Sequence, residues 1–223
     1  MKKVLYSIAV IASALAMVSC GGSGNTQSKL FGEIPSVRIK YEQKSDELQQ
    51  KMEDVKDIGD LTKLAEEYEA LGDEQKVELE AAANKWSGST LEIDECENLT
   101  VNTPITVEFD GFFSSDSPKF KINGDIVVST EIECEASEDL IKYYSTRTDQ
   151  LIPRRVRLIA LDAEGNEVFK ETIGTVKPTF VDNKILILVG EKVIMDGQEL
   201  VFSDKNLNQY SNIEKLALIV DKE

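Results

Sequence analysis

The chain has 223 residues, with 41 aspartates and glutamates against 25 lysines and arginines, which gives a formal net charge of −16. Such a surface repels phosphate backbones, so we expect no nucleic-acid partner. The sequence contains no histidine, which removes the usual general base, the Ser–His and Cys–His nucleophile pairs and most zinc sites.

The first residues combine a charged start with a short apolar stretch. Lys2 and Lys3 precede an apolar run over residues 4–18, and small residues follow around Cys20. Fifteen helical residues reach roughly 22 Å, short of the roughly 30 Å hydrocarbon core of a bilayer. The pattern therefore favours a signal peptide over residues 1–19 and disfavours a permanent membrane span.

The end of this run, Met17-Val18-Ser19-Cys20, resembles the lipobox of bacterial envelope lipoproteins, with Met17 where that family usually carries leucine. The resemblance covers only these four positions and implies cleavage before Cys20, lipidation of Cys20 and anchoring in the outer membrane. The alternative is an ordinary signal peptide in which Cys20 is incidental. Surface-displayed lipoproteins of the Bacteroidetes type carry acidic residues after the cysteine. Here residues 21–25 are Gly-Gly-Ser-Gly-Asn, which favours the periplasmic face.

Residues 20–36 are expected to form the lipidated cysteine and a flexible tether, because residues 21–28 are small or polar. Removal of residues 1–19 takes away two lysines and no acid, so the mature 204 residues carry a net charge of −18. A polar tether and an acidic body keep the anchored protein in water, clear of anionic headgroups.

Residues 37–86 have a helical period. Two apolar stripes recur at three- and four-residue steps, one over residues 41–55 and one over residues 61–86. Residues 57–60 interrupt the pattern, and Asp60 is expected to cap the second helix. The sequence predicts an antiparallel helical hairpin whose second arm is either continuous or split at residues 71–73. Trp86, at the end of that longer arm, is expected to pack on the first strands.

From residue 87 onward the period changes to two, as in half-buried strands. Turn sequences recur at Asn123-Gly124, residues 163–166 and Asp196-Gly197, and residues 137–145 predict a short helix capped by Ser137. Residues 185–189 and 216–220 are apolar on both faces, so we expect them inside the core. The predicted fold class is α+β: a helical hairpin followed by an all-β antiparallel sandwich of immunoglobulin-like architecture over residues 87–223.

Arginines form the one basic cluster of this acidic sequence, at Arg147, Arg154, Arg155 and Arg157. Arginine forks suit carboxylate and phosphate groups. The cluster either binds an anionic ligand or partner surface, or neutralises the protein's own acids.

Two further segments are candidates for binding. Phe112 and Phe113 are adjacent in a predicted loop over residues 111–118, with one ring inside and the other either exposed to a partner or capping the sandwich. Glu131, Glu133 and Glu135 alternate along a strand, and either ligate calcium or discourage edge-to-edge pairing.

Cys96 and Cys134 form an even pair once Cys20 carries lipid. In an oxidising compartment a disulfide between them would close a loop of about 39 residues, worth roughly 4 kcal/mol. Alternation from Leu91 and Ile93 places Cys96 on the opposite face of its strand, which favours two free thiols. The sequence leaves both possibilities open.

The mature sequence contains no phosphate-binding loop, dinucleotide fingerprint or nucleophile elbow, so we expect no cofactor, no metal and no enzymatic activity. The leading expectation is a lipid-anchored envelope protein that binds a protein or small ligand through its β-sandwich. The alternative is a structural spacer without a specific ligand, and a carboxylate-type hydrolase is the third possibility.

Overall fold

The computed structural model describes residues 28–205 and 207–222. The predicted signal peptide, Cys20 and the tether up to residue 27 lie outside them. The described chain is an α+β fold, with an N-terminal helix pair followed by several β-sheets. None of its helices combines the length and apolar character that crossing a membrane requires.

The helix pair consists of α1 (Ile34–Asp54) and α2 (Ile58–Trp86), which confirms the predicted hairpin. Helix α2 runs unbroken for 29 residues through Gly72, so its continuous form is the observed one. Its cap is Asp57 and not Asp60: the Asp57 carboxylate accepts hydrogen bonds from the backbone N–H groups of Gly59 and Asp60, at 2.8 and 3.3 Å. The carboxylate of Asp57 precedes the first turn and can reach these free N–H groups, whereas Asp60 already lies within the helix.

The prediction of a tether up to residue 36 is wrong for its last part. Leu30 and Phe31 are fully buried, and α1 begins at Ile34, which is also fully buried. Phe31 and Gly32 have φ angles of 67° and 57°, and this sharp turn folds the short apolar run under the helices. A side chain on Gly32 would approach Trp86 at 3.0 Å, so the turn requires glycine.

Eleven strands and a third helix follow within the described residues. They are β1 (Thr90–Leu91), β2 (Glu95–Cys96), β3 (Leu99–Ser114), β4 (Ser117–Val128), β5 (Ile132–Glu133), α3 (Glu138–Tyr144), β6 (Arg154–Leu161), β7 (Glu167–Val176), β8 (Thr179–Val181), β9 (Lys184–Ile187), β10 (Glu199–Val201) and β11 (Lys215–Val220). Short 3-10 helices cover Thr148–Gln150 and Leu207–Asn212. Ser137 caps α3 as predicted, because its hydroxyl accepts a hydrogen bond from the Leu140 N–H.

These strands form three sheets, in the orders β1-β3-β4-β10, β2-β11-β6-β7 and β5-β9-β8. The two apolar segments contribute the internal strands β9 and β11. The prediction that residues 185–189 lie inside the core is wrong for the last two: Leu188 and Val189 are 37% and 63% exposed, because β9 ends at Ile187 and the chain turns at Gly190, where φ is 88°. One pairing departs from the all-antiparallel prediction, since β2 runs parallel to β11. Asp94 and Glu97 donate backbone hydrogen bonds to Leu216 and Leu218, so this short segment aligns with the last strand.

The turn predicted at Asn123-Gly124 is wrong, because both residues lie inside β4. Asn123 pairs with Thr106 of β3, and the register shifts between Thr103 and Thr106. A glycine allows the two strands to approach closely at this register shift, because a side chain on Gly124 would lie 3.3 Å from the Ile105 backbone. The turns at residues 163–166 and 196–197 are confirmed, the second with Gly197 at a φ of 70°.

A single hydrophobic core joins the base of the helix pair to the strands. It contains Phe31, Leu79 and Trp86 together with Phe120 of the first sheet and Leu158 of the second. Trp86 is 4% exposed, and its ring centroid lies 4.6 Å from that of Phe120 in a perpendicular arrangement. The expectation that Trp86 packs on the first strands is confirmed, and the hairpin base belongs to the β-region's core.

Candidate functional site

A groove of about 730 Å³ crosses one end of the second sheet, where β6, β7 and β11 lie side by side. Its cationic side chains are Arg154, Arg155, Arg157, Lys170 and Lys222, and its acidic side chains are Glu97, Glu135 and Asp221. We call it the basic groove, since it gathers five cations against three acids in a chain of strong negative charge.

Strand alternation and register bring these cations together. Val156 and Leu158 of β6 are fully buried, so Arg155 and Arg157 project from the opposite, outer face. Arg157 lies opposite Ile219 of β11, and Ile159 lies opposite Lys170 of β7. Residues directly opposite share a face, which places Lys170 and the apolar Ile219 on the same outer surface as the arginines.

Arg157 is held in place by Asp221. Its Nε lies 2.9 and 2.8 Å from the two carboxylate oxygens, and Nη2 lies 2.7 Å from Oδ2. The hydrogen bonds from Arg157 to Asp221 raise the pKa of the guanidinium above its ordinary value, so Arg157 is charged throughout the physiological range. The pair forms a rigid wall of the groove and leaves little of the Arg157 charge for a ligand.

The other cations differ in how far they are neutralised. Lys222 pairs with Glu97 at 3.0 Å, and Lys170 pairs with Glu167 of its own strand at 3.2 Å. Arg155 is exposed, and its guanidinium forms no ion pair with any described residue. Its backbone is fixed, because the Arg155 carbonyl accepts a 2.9 Å hydrogen bond from the Asp221 N–H. Arg155 is therefore the groove cation that is most available to an anion.

The arginine cluster predicted from the sequence contains three of the groove's five cations, namely Arg154, Arg155 and Arg157. Arg147 lies elsewhere: its guanidinium stacks over the Tyr143 ring at 4.5 Å, next to α3. Lys170 and Lys222 were missed, because only the strand register and the position of the chain end bring them to the arginines.

The two phenylalanines lie in β3 and its hairpin with β4, so the predicted loop over residues 111–118 is a strand end with a tight turn. Phe112 packs against the core, 5.6 Å from the Phe109 ring, whereas Phe113 is 75% exposed. One ring points inward and one outward as predicted, and the outward ring remains in solvent. The basic groove includes neither of them.

The cysteines and the acidic row contribute no site in the described residues. Cys96 is an exposed free thiol and Cys134 a buried one. Glu133 forms a 2.7 Å ion pair with Lys184. Between residues 28 and 222, the described part of the chain holds no cluster of three or more acidic or cysteine side chains placed to bind a metal ion.

Comparison with protein-family models, with curated proteins and with solved structures finds no match to this chain. Indications of function come from the basic groove and from the residues that form it.

Proposed function

We propose that the mature chain is a lipid-anchored envelope protein that acts without catalysis and binds an anionic group in the basic groove. One observation carries this proposal: five cationic side chains converge on one groove of a chain whose mature net charge is −18. Such a surface repels anions nearly everywhere else, so the groove is where an acidic ligand gains most.

The composition of the groove indicates the kind of ligand. Its volume falls within the range of small-ligand sites, roughly 300–1,000 Å³. Ile152, Pro153 and Ile219 give it apolar walls. A suitable ligand has a carboxylate or phosphate for Arg155 and Lys170 and an apolar part for these walls. An acidic side chain of a partner protein and a small organic anion both meet this description.

We also propose an architecture for the β-region. The two four-stranded sheets contribute to one core, which supports a sandwich of immunoglobulin-like architecture. The anchor is proposed from the resemblance of residues 17–20 to a lipobox. The periplasmic face is proposed because residues 21–25 carry no acidic side chain.

Titration calorimetry on the mature protein tests the groove with two probes, a tetraglutamate peptide and inorganic pyrophosphate. Binding of either probe is expected, and the preferred probe tells carboxylate from phosphate recognition. Arg155→Glu should weaken binding at least tenfold, because it removes the free cation and adds a repelling charge. Lys76→Glu on α2 is the matched control, with the same change in net charge outside the groove, and should change affinity less than twofold.

Two results would contradict the proposal. Failure of both probes to bind would favour the alternative of a structural spacer. Equal weakening by Arg155→Glu and Lys76→Glu would mean that the probes respond to overall charge and not to the groove.

A further inference from the structure

The outer part of the helix pair, residues 42–78, stands apart from the core. None of its side chains is buried, whereas Leu79, Ala83 and Trp86 at the base are at most 4% exposed. We call residues 42–78 the distal arm. Ion pairs between its two helices include Lys40–Glu78 beside its base and Lys44–Glu74 at 3.9 Å.

One side of α2 is covered at the base and open in the distal arm. Leu79 follows Leu61, Tyr68 and Gly72 by 18, 11 and 7 residues. In a helix of 3.6 residues per turn, these steps are within about 20° of whole numbers of turns. All four residues therefore lie on the same side of α2. Leu79 is fully buried by the core, but Leu61 and Tyr68 are each 40% exposed. The space beside Gly72 is open: apart from its chain neighbours and the backbone of its own helix, no described atom lies within 4 Å of the point that a Cβ would occupy there. The apolar stripe thus continues beyond the sheets that cover it.

The neighbouring side of α1 completes this open surface. Ser45 and Gln49 approach the Tyr68 hydroxyl at 3.2 and 3.4 Å, so they border the stripe. Arg38 lies two and three turns before them on the same side of α1, and it pairs at 3.3 Å with Asp116 at the tip of the β3–β4 hairpin. The open stripe therefore faces the corner between the distal arm and the hairpin tip.

We propose that this open stripe is the docking surface for a helix of a partner protein, one with an apolar face flanked by lysine and arginine. The shape fits because a third helix can lie along Leu61 and Tyr68 and approach closely at Gly72. The charge specifies the partner: the distal arm carries 13 acidic residues and five lysines. A second copy of the chain would bring two such arms together and is disfavoured by repulsion. This inference is independent of the basic groove.

The probe is a synthetic 21-residue peptide with leucines at three- and four-residue spacing and lysines elsewhere. A scrambled peptide of the same composition is its control. The full mature protein should bind the patterned peptide at least fivefold more tightly than the scrambled one, because only the patterned peptide presents an apolar face.

Three variants locate the binding surface. Leu61→Gln and Gly72→Gln should each weaken binding at least fivefold, and Gly72→Gln also raises helix propensity, so its effect cannot come from unfolding. Val77→Gln is the matched control: Val77 is 68% exposed but lies on the far side of α2, and its replacement should change affinity less than twofold.

Equal effects of the three substitutions, or equal binding of the two peptides, would overturn the proposal. Sedimentation showing that the full protein forms dimers that Leu61→Gln dissociates would also overturn it, since the occupant would then be a second copy.

Discussion

Trp86 shows what sequence periodicity reveals at the scale of a residue. Its place at the end of the apolar stripe of α2 predicted burial on the first strands, and it is 4% exposed beside Phe120. Its other neighbour, the Phe31 ring at 5.2 Å, was not foreseen. Phe31 lies in a short apolar run next to a polar segment, where no period distinguishes a core residue from a tether.

Phe31 is in fact the centre of an aromatic cluster. Its ring centroid lies within 6.0 Å of those of Trp86, Phe120, Phe169, Phe202 and Tyr210. These residues come from α2, from the first two sheets and from the chain that follows β10. Because Phe31 precedes α1 by only three positions, the cluster ties the start of the helix pair to the β-region.

Tyr210 in this cluster makes the free energy of unfolding depend on pH in the alkaline range. It is 1% exposed, and burial raises its pKa to about 12, while its hydroxyl donates to the Ser203 carbonyl at 3.1 Å. An unfolded tyrosine ionises near pH 10. Between about pH 10 and 12 the unfolded chain therefore loses this proton and is stabilised by the loss. The folded chain keeps the proton, so the free energy of unfolding falls.

We predict that Tyr210 contributes a loss of about 1.4 kcal/mol in the free energy of unfolding per pH unit in this window, and nothing below it. Tyr210→Phe should keep the packing and show a correspondingly shallower decline. Urea unfolding at half-unit steps from pH 9 to 12 measures both slopes. Equal slopes would show that Tyr210 ionises freely in the folded protein.

At the scale of elements, the helices, the hairpin β6–β7 and the buried strands β9 and β11 follow from periodicity. The predictions of elements that proved wrong have a shared physical cause: pairing with a strand overrode the pattern of the local sequence. Asn123-Gly124 has the composition of a turn, but pairing with β3 keeps it inside a strand. Residues 95 and 96 do not show the two-residue alternation of a strand, but they pair in parallel with β11.

The element scale also separates the two halves of the helix pair. Leu79, Ala83 and Trp86 belong to the common core, and the distal arm contributes no buried side chain. The base of the helix pair and the strands of residues 87–223 therefore share one continuous hydrophobic core.

We predict that a fragment of residues 87–223 will not melt cooperatively, because it lacks Phe31, Leu79 and Trp86, each worth several kcal/mol when buried. A chain of residues 28–223 in which a short glycine-serine linker replaces residues 46–70 should still melt cooperatively. Calorimetry of both proteins is the measurement. Cooperative melting of the 87–223 fragment would contradict this prediction, because it would show that the β-region folds without the helix base.

At the scale of the whole molecule, the sequence located three of the groove's five cations but not the groove. Lys170 and Lys222 line the same groove as the arginines because of the register of β6 with β7 and the path of the chain after β11, which no local pattern encodes. Arg147, close in sequence to the others, folds back on Tyr143.

The proposed lipid anchor on Cys20 determines where the groove and the distal arm operate. Cell fractionation compares the wild-type protein with Cys20→Ala. Wild type should remain in the membrane pellet after a carbonate wash and incorporate labelled palmitate, since several buried acyl chains bind stably at about 0.8 kcal/mol per methylene. Cys20→Ala should lose the label and enter the soluble fraction. A Cys20→Ala protein that stays in the washed membranes would contradict the lipid anchor.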